Sequence, residues 1–248
     1  KAKVKAAREA FEATLKTSLS DRIKDARNYV KKNWDLYFIT HIDNLQHITK
    51  DGIVASKDRP KNYRNIAKKS ITAVRDENQI KPGLFLSDCA HAYFRPNNAM
   101  LVDVLTRQRI HLDQIVMIRI NLKPTESNMY MTKKNAYYCN KDDFIPSDKW
   151  MEIEPSIQAM LKKPRWVVNK ITDVNLKQEF MAECFIPEKF PLSSFKAICI
   201  ATEKSVRGRG YNFIAFKDKV ERSISKESRL TAKNIEERME LFFDGFYG

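Results

Sequence analysis

The chain has 248 residues, 43% of them hydrophobic and 10% aromatic, which is enough apolar material for a sizeable core and argues against global disorder. Its 45 Lys and Arg residues exceed its 31 acidic residues, and the net charge of +14 favours a polyanionic partner such as nucleic acid. The four cysteines have no C-x-x-C spacing, which argues against a zinc site or a disulfide framework and favours a reducing cytoplasm. Since no apolar run is long enough to span a membrane and no secretory leader is visible, we expect a cytoplasmic protein with no membrane partner.

The first third of the chain is predicted to be helical at its start and polar at its end. Apolar residues recur at steps of three and four over residues 3–33, which predicts a helix that packs on the domain, docks a partner or lies on nucleic acid. A strand is expected over Leu36–Thr40 and a helix over Asp43–Thr49, ended by Asp51-Gly52. Residues 56–82 indicate a long polar loop with a short helix at 62–69.

The remainder is predicted to consist mostly of short strands. We expect strands from Leu84 and over residues 115–120, 129–132, 180–186, 195–201 and 212–216, with helices over 154–162 and 231–243 and a basic turn at 207–210. Few helices and no strand–helix alternation predict an α+β fold with a mixed or antiparallel sheet. We predict one domain over residues 34–248, preceded by a helical extension at 1–33.

Five segments occur in an order that points to one chemistry: Tyr37–Leu45, Ser70–Arg75, Asp88–Met100, Thr132–Ala136 and Met181–Pro187. Together they resemble the DarT family of NAD-dependent ADP-ribosyltransferases, toxins that attach ADP-ribose to nucleobases. The resemblance covers roughly residues 36–201. It implies an ADP-ribosyltransferase fold with a split mixed sheet and flanking helices, and NAD+ bound between the halves and consumed as co-substrate, without a metal.

The resemblance also implies an acceptor and a biological setting. The first expectation is transfer to a base of single-stranded DNA, and the second is transfer to RNA. A toxin–antitoxin or phage-defence system would supply a cognate antitoxin that binds the toxin or removes the ADP-ribose. Two alternatives stay open: a non-enzymatic, basic nucleic-acid-binding module, and an ADP-ribosyltransferase that acts on protein.

Glu183 and Arg75 are the expected catalytic residues. Glu183 lies in an apolar run, where a carboxylate is costly unless it is paired or faces a cleft. Alternation in a strand could equally turn it to solvent, and Glu179 is the nearest rival. The resemblance favours Glu183, and it matches Arg75 to the family's catalytic arginine, with Arg64 as the rival. A carboxylate there can stabilise the charge that develops on the ribose and accept a proton from the base.

The NAD+ site is expected around the first segment. It comprises Phe38, Ile39, Thr40, His41 and His47, together with Arg75. His41 begins a helix directly after a strand, and the free N–H groups of a helix N-terminus attract anions. Phe38 stands where many family members have His, so backbone contacts to the nicotinamide amide are expected there.

The acceptor is expected to contact Tyr93, Phe94, Arg95, Asn97 and Asn135. Aromatic rings beside an arginine can stack on a base, although one of the two rings could instead belong to the core. Many family members have Arg in place of Asn97 and Asp-Gly in place of Lys133-Lys134, which leaves the acceptor open between DNA and RNA.

Overall fold

A computed structural model describes residues 34–108, 110–123, 128–163, 174–201, 212–238 and 241–242. The helical extension predicted at 1–33 and the basic turn predicted at 207–210 lie outside these residues, and the division into an extension and a domain remains a prediction.

Strands and short helices alternate irregularly along the described chain. The strands are β1 (Trp34–His41), β2 (Ile53–Val54), β3 (Gln79–Lys81), β4 (Leu84–Phe85), β5 (Cys89–Tyr93), β6 (Ile115–Leu122), β7 (Tyr130–Met131), β8 (Ile145–Pro146), β9 (Glu183–Pro187), β10 (Lys189–Phe190), β11 (Phe195–Ile200) and β12 (Ile235–Glu237). The α-helices are α1 (Leu45–Asp51), α2 (Lys69–Arg75), α3 (Ala99–Thr106), α4 (Trp150–Lys162), α5 (Val174–Glu179) and α6 (Phe213–Ser223).

An eight-stranded mixed sheet organises the described residues, in the order β12-β11-β6-β1-β5-β9-β7-β8. β11 and β12 are parallel, and the other pairs are antiparallel. β1 pairs with β6 along its whole length but meets β5 at one register position, Tyr37 opposite Tyr93. The sheet is therefore split between β1 and β5, which confirms the predicted α+β fold with a split mixed sheet.

The best-predicted elements are the central apolar strands. β1, β6 and β11 overlap the expected strands, and residues 115–118 of β6 are fully buried. Continuous apolar runs of β-branched residues are typical of strands covered on both faces. All four cysteines are free and buried, and Cys184 and Cys199 pack in the core as the sequence predicted.

Two expectations for the C-terminal part were wrong. The strand expected over 212–216 is the start of α6, in which the Asn212 side chain accepts a hydrogen bond from the Ala215 N–H at 2.9 Å. Phe216 and Val220, four residues apart, are the buried positions of this helix. The helix expected from Thr231 contains a 3₁₀ turn and β12, because Ile235 pairs with Ile198 and adds a parallel strand to the sheet.

Two further boundaries differ from the expectation. The helix expected at 62–69 lies at 69–75, as α2. β9 begins at Glu183 rather than at residue 180, because residues 180–182 form a turn closed by hydrogen bonds from the Met181 and Ala182 N–H groups to the Gln178 and Glu179 carbonyls. As a result Glu183 is the first residue of its strand, directly after a turn.

Gly52 ends α1 in a conformation that an L-residue rarely adopts, with φ of 94° and ψ of −179°. A Cβ at this position would lie 2.6 Å from the Phe190 carbonyl oxygen. We expect Gly52→Ala to lower the free energy of unfolding by more than about 1–3 kcal/mol, because the clash adds to the backbone strain. The matched control is Gly83→Ala, with φ of 78° and no atom within 4 Å of the added Cβ. Urea unfolding measures both variants, and equal losses would contradict the role assigned to the Phe190 contact.

Candidate active site

A cavity of about 760 Å³ lies along α2, β5, α3 and the start of β9. Apolar side chains of α2 and α3, among them Ile71, Met100 and Val102, form part of its wall. Its polar lining includes Arg75, His91, Tyr93, Asn135 and Glu183. Because strands β5 and β9 pair with Tyr93 opposite Glu183, the register brings these two side chains to the same part of the cavity.

Glu183 is the buried carboxylate of this cavity, with only 1% of its surface exposed. Its Oε2 accepts a hydrogen bond from Arg75 Nη2 at 3.1 Å, and its Oε1 accepts one from the Ala136 backbone N–H at 3.1 Å. Both carboxylate oxygens therefore have a fixed donor. Glu183 does not turn to solvent, which was the alternative that strand alternation had left open.

The segment Thr132–Ala136 positions Glu183 from a second side. The Thr132 N–H donates to the Glu183 carbonyl at 2.9 Å, and the Glu183 N–H donates to Thr132 Oγ1 at 3.2 Å. The Asn135 N–H binds the Gln178 carbonyl, which ties the segment to α5. This segment thus holds the backbone and the side chain of the candidate catalytic residue.

Burial raises the pKa of Glu183, while Arg75 and the Ala136 N–H counteract part of this rise. A buried carboxylate with a raised pKa is a stronger proton acceptor than a solvated one. Because Arg75 opposes the effect of burial, the ionised form of Glu183 depends on this arginine.

Arg75, rather than Arg64, is the arginine that reaches this carboxylate. Arg75 is the last residue of α2 and is only 7% exposed. Arg64 contacts Asp43 Oδ2 at 3.4 Å on the surface. The structure therefore brings together the two residues that the resemblance had favoured for catalysis.

The candidate NAD+ residues of β1 are all buried. Phe38, Ile39, Thr40 and His41 are each less than 5% exposed, and the Phe38 ring meets the His91 ring edge-on at 6.0 Å. His41 caps the following 3₁₀ turn, since its Nδ1 accepts from the Asp43 N–H at 3.1 Å, and burial lowers the pKa of His41 to about 4.

His47 is half-buried on α1, apart from the wall of the cavity.

Asn44 links this strand to the polar segment that precedes α2. Its amide donates to Thr40 Oγ1 at 3.0 Å and to the Arg64 carbonyl at 2.9 Å, and it accepts from the Arg64 N–H at 2.8 Å. Tyr63 adds a hydroxyl contact to Thr40 Oγ1 at 3.3 Å. The segment expected to be a long polar loop with a short helix is therefore fixed against β1.

A second recess of about 270 Å³ lies beside this segment, lined by Ser56, Lys57, Arg59, Pro60, Tyr63, Asn65, Thr72 and Asp76. Arg59 lies over the Tyr63 ring at 4.9 Å and near the Phe38 ring at 6.0 Å. Its Nη2 is buried and has no hydrogen-bond partner among the described residues. Burial lowers the pKa of Arg59. A desolvated guanidinium with an open donor suits an anionic ligand.

The predicted acceptor residues separate into two groups. Tyr93 and Asn135 line the cavity. Phe94 instead packs edge-on against Trp34 at 5.0 Å, and Arg95 lies over the Phe180 ring at 3.9 Å and donates to the Met160 carbonyl at 3.1 Å. The structure does not support base contacts by these two side chains, because the core already occupies them.

Asn97 is buried, and its side-chain amide has no hydrogen-bond partner among the described residues.

A match to a family model identifies the chain. The model described as DarT, the ssDNA thymidine ADP-ribosyltransferase, matches residues 37–208. The chain belongs to the DarT family.

Solved structures give the DarT fold independently of the family match. Thermus sp. 2.9 DarT in complex with ADP-ribosylated ssDNA aligns with a TM-score of 0.68 at 17% identity, over 84% of this chain and 96% of that one. The same protein in complex with NAD+ aligns with a TM-score of 0.63 at 16% identity, over 84% and 97%. Thermosipho africanus DarTG in complex with ADP-ribose aligns with a TM-score of 0.67 at 19% identity, over 85% of this chain and 51% of that one.

One curated relative combines two activities in a single chain. It is a DNA ADP-ribosyl transferase–DNA ADP-ribosyl glycohydrolase fusion protein of Thermosipho africanus (strain H17ap60334), 24% identical over 167 residues. The alignment covers 62% of this chain and 39% of the relative, so the chain spans less than half of that protein's length.

Neither a membrane helix nor a metal cluster is found within the described ranges. No helix there combines the length and apolar character needed to cross a bilayer. No group of three or more His, Cys, Asp and Glu side chains there could hold a metal ion. The cytoplasmic location remains a prediction.

Sequence reasoning missed several residues that the structure places at this DarT-type site. Arg59 lines the recess, and His91 contacts Arg75. Thr132 and Ala136 lie in a segment that the sequence had singled out, but their contacts to Glu183 were not predicted. A signal existed for His91, because it lies two residues from Tyr93 and so faces the same side of the strand. Arg59 lies in a long polar segment, Thr132 acts through its N–H and its hydroxyl, and Ala136 acts through its N–H, none of which periodicity reports.

The buried ion pair predicts a pH-dependent loss of stability in Arg75→Leu. Removing one partner of a buried pair leaves the other charge uncompensated, so we expect a loss of about 3–5 kcal/mol at neutral pH. Because the pKa of Glu183 in the folded variant would rise further above its ordinary value of 4.5, protonation favours the folded state. The loss should therefore shrink as the pH falls towards 4.5.

Urea unfolding at pH 5 and pH 8 tests this expectation. The control is the double variant with Glu183→Leu, which has neither charge and should lose less stability than Arg75→Leu alone. A loss that is independent of pH would contradict the expectation.

Proposed function

We propose that this chain transfers ADP-ribose from NAD+ to thymidine in single-stranded DNA. The observation that carries the proposal is the buried Glu183 carboxylate, fixed by Arg75 and the Ala136 N–H at the wall of a large cavity in a DarT-family fold. The family description names single-stranded DNA and thymidine. It gives no support to RNA or protein as acceptor, and membership of a transferase family argues against a non-enzymatic binding module.

Glu183 has two tasks in this reaction. NAD+ supplies the ADP-ribosyl group, and its nicotinamide leaves with the electron pair of the glycosidic bond. As that bond breaks, positive charge develops on the ribose, and a buried carboxylate beside it stabilises the charge more strongly than a solvated one could. As a nitrogen of the base bonds to the ribose carbon, Glu183 accepts its proton. The raised pKa of Glu183 favours this step.

NAD+ fits the polar groups at both cavities. Arg75 has N–H groups beyond those used by its contacts within the cluster, and it lines the large cavity. The open, buried Nη2 of Arg59 suits one of the phosphates. Phe38 contacts both Arg59 and His91, so the recess adjoins the candidate catalytic pair.

The DNA strand would enter along the rim of the large cavity. Lys68 and Arg107 are exposed cations on this rim, and Lys177 lines the same cavity. Tyr138 is 53% exposed and also lines the cavity, which gives a base a ring on which to stack. Lys133 and Lys134 follow the strand that pairs with β9. These residues supply phosphate contacts and stacking beside the carboxylate.

The biological partner is proposed to be an antitoxin that removes ADP-ribose from DNA. The support is the curated relative, in which a transferase is fused to a DNA ADP-ribosyl glycohydrolase. An antitoxin with this activity would remove the ADP-ribose that the enzyme attaches to DNA. The chain would therefore be the toxin component of such a pair.

We expect Glu183→Gln to reduce transfer by roughly 10²–10⁴-fold, because the amide neither balances the ribose charge nor accepts the proton. The experiment incubates the protein with NAD+ and a single-stranded oligonucleotide that contains one thymidine, and it detects ADP-ribose as a mass shift. The matched control is Glu179→Gln, four residues earlier, whose carboxylate pairs with Lys163 at the surface. Near-normal transfer by Glu183→Gln would contradict the assignment. A wild-type protein that modifies no thymidine oligonucleotide would contradict the proposed function itself.

Single-stranded DNA should be modified in strong preference to the same sequence in a duplex. Extracting a base from a duplex costs a few kcal/mol, roughly, in lost pairing and stacking. Affinity should fall with rising salt at a slope of about −0.7 per phosphate contacted. Replacing Lys68 and Lys177 by Gln should make this slope shallower. Lys233→Gln, beside the edge strand β12 and away from the cavity, should not change it. Equal rates on both forms of DNA would contradict the single-strand preference, and an unchanged slope in the Lys68 and Lys177 variant would contradict the entry route.

A further inference from the structure

Arg75 has a second polar partner besides Glu183. Its Nη1 lies 2.7 Å from Nδ1 of His91, and its Nη2 lies 3.1 Å from Oε2 of Glu183. A guanidinium can only donate, so Nδ1 of His91 must accept. The His91 imidazole is therefore neutral in this arrangement and carries its proton on Nε2.

The His91 ring is held by aromatic neighbours. It stacks on Phe185 at 6.2 Å and meets Phe38 and Tyr93 edge-on at 6.0 and 5.8 Å. Phe185 is its partner across the β5–β9 pairing, so the register of the sheet sets the position of the imidazole. A ring packed on three sides cannot swing away from the arginine without disturbing the core.

We propose that His91 is a positioning residue that acts through Arg75. With Glu183, it fixes both terminal nitrogens of the guanidinium, and so orients the remaining N–H groups of Arg75 towards NAD+ in the cavity. This inference rests on the proposed function, since it names a residue that prepares the same site for its co-substrate.

The charges around His91 keep it in the accepting form. Arg75 and Arg59 are the cations that face it, and both disfavour an imidazolium; Glu183 is separated from it by Arg75. Tyr93 stays neutral, because burial raises the pKa of its hydroxyl. Burial and the two arginines lower the pKa of His91 well below its ordinary value. Activity should therefore show no step from His91 between about pH 6 and 8, the range in which an ordinary histidine titrates.

The test compares His91→Asn with His91→Leu. The two side chains have the same branching, but only Asn places an acceptor oxygen near the position of Nδ1. We expect His91→Leu to raise the dissociation constant and the KM for NAD+ by roughly tenfold or more, because the lost hydrogen bond involves a charged donor. The KM for the oligonucleotide should stay unchanged. For His91→Asn, the dissociation constant and the KM for NAD+ should stay within about threefold of the wild-type values. A change of that size corresponds to less free energy than one neutral hydrogen bond contributes. Equal losses in both variants would overturn the proposal.

A double-variant cycle distinguishes positioning from a general structural role. In an Arg75→Ala background, His91→Leu should cause no further loss of NAD+ affinity, because the residue through which His91 acts is gone. Additive losses would overturn the proposal. Direct calorimetric titration with NAD+ keeps the measurement possible when transfer is too slow to detect. Urea unfolding reports whether each variant folds, and His91→Phe, which retains the stacking on Phe185, replaces His91→Leu if the latter does not.

The matched control is His111→Leu, at an exposed histidine that lines neither cavity, and it should leave the NAD+ affinity unchanged.

The experiments distinguish failure of this inference from failure of the proposed function. If the wild type modifies thymidine but His91→Leu binds NAD+ normally, the inference alone is wrong. If the wild type neither binds NAD+ nor modifies DNA, the function is wrong and His91 has no co-substrate to prepare.

Discussion

The buried pair of Arg75 and Glu183 is the interaction on which the site depends. Three segments distant in sequence meet at this carboxylate: the end of α2, the start of β9 and the turn at Thr132–Ala136. Burial alone would favour the protonated acid, and the arginine and one backbone N–H oppose this. A well-packed apolar cluster would be more stable than this buried pair, but it would not place a charge at the wall of the cavity.

Physical reasoning from the sequence predicted the framework better than the site. β1, β6 and β11 are rich in apolar β-branched and aromatic residues, which favour buried strands. Glu183 and Arg75 were found through the family resemblance. From the residues alone, a carboxylate in an apolar strand has two possible directions, and only its position opposite Tyr93 turns it into the cavity.

The remaining differences arise where tertiary contacts override local preference. Residues 213–216 are strongly apolar and look like a strand, yet an N-cap at Asn212 and burial every fourth residue make them a helix. The polar segment before α2 has no hydrophobic periodicity from which its position could be predicted. It is fixed instead by the buried Asn44 side chain, which bonds both the N–H and the carbonyl of Arg64. Phe94 and Arg95 look like a stacking site in sequence, but they fill the space around Trp34 and Phe180.

The net charge of +14 counts buried and exposed cations alike, but the fold places them in different environments. Arg59 and Arg75 are largely withdrawn from water beside the cavity, and they are held by rings or by partners. Lys68 and Arg107 stand exposed on the rim. Mobile ions screen exposed charges over a Debye length of about 8–10 Å but reach buried ones poorly. A DNA strand held at the rim should consequently respond to salt far more than a nucleotide held by the buried guanidinium groups, so the two binding steps can be separated by ionic strength alone.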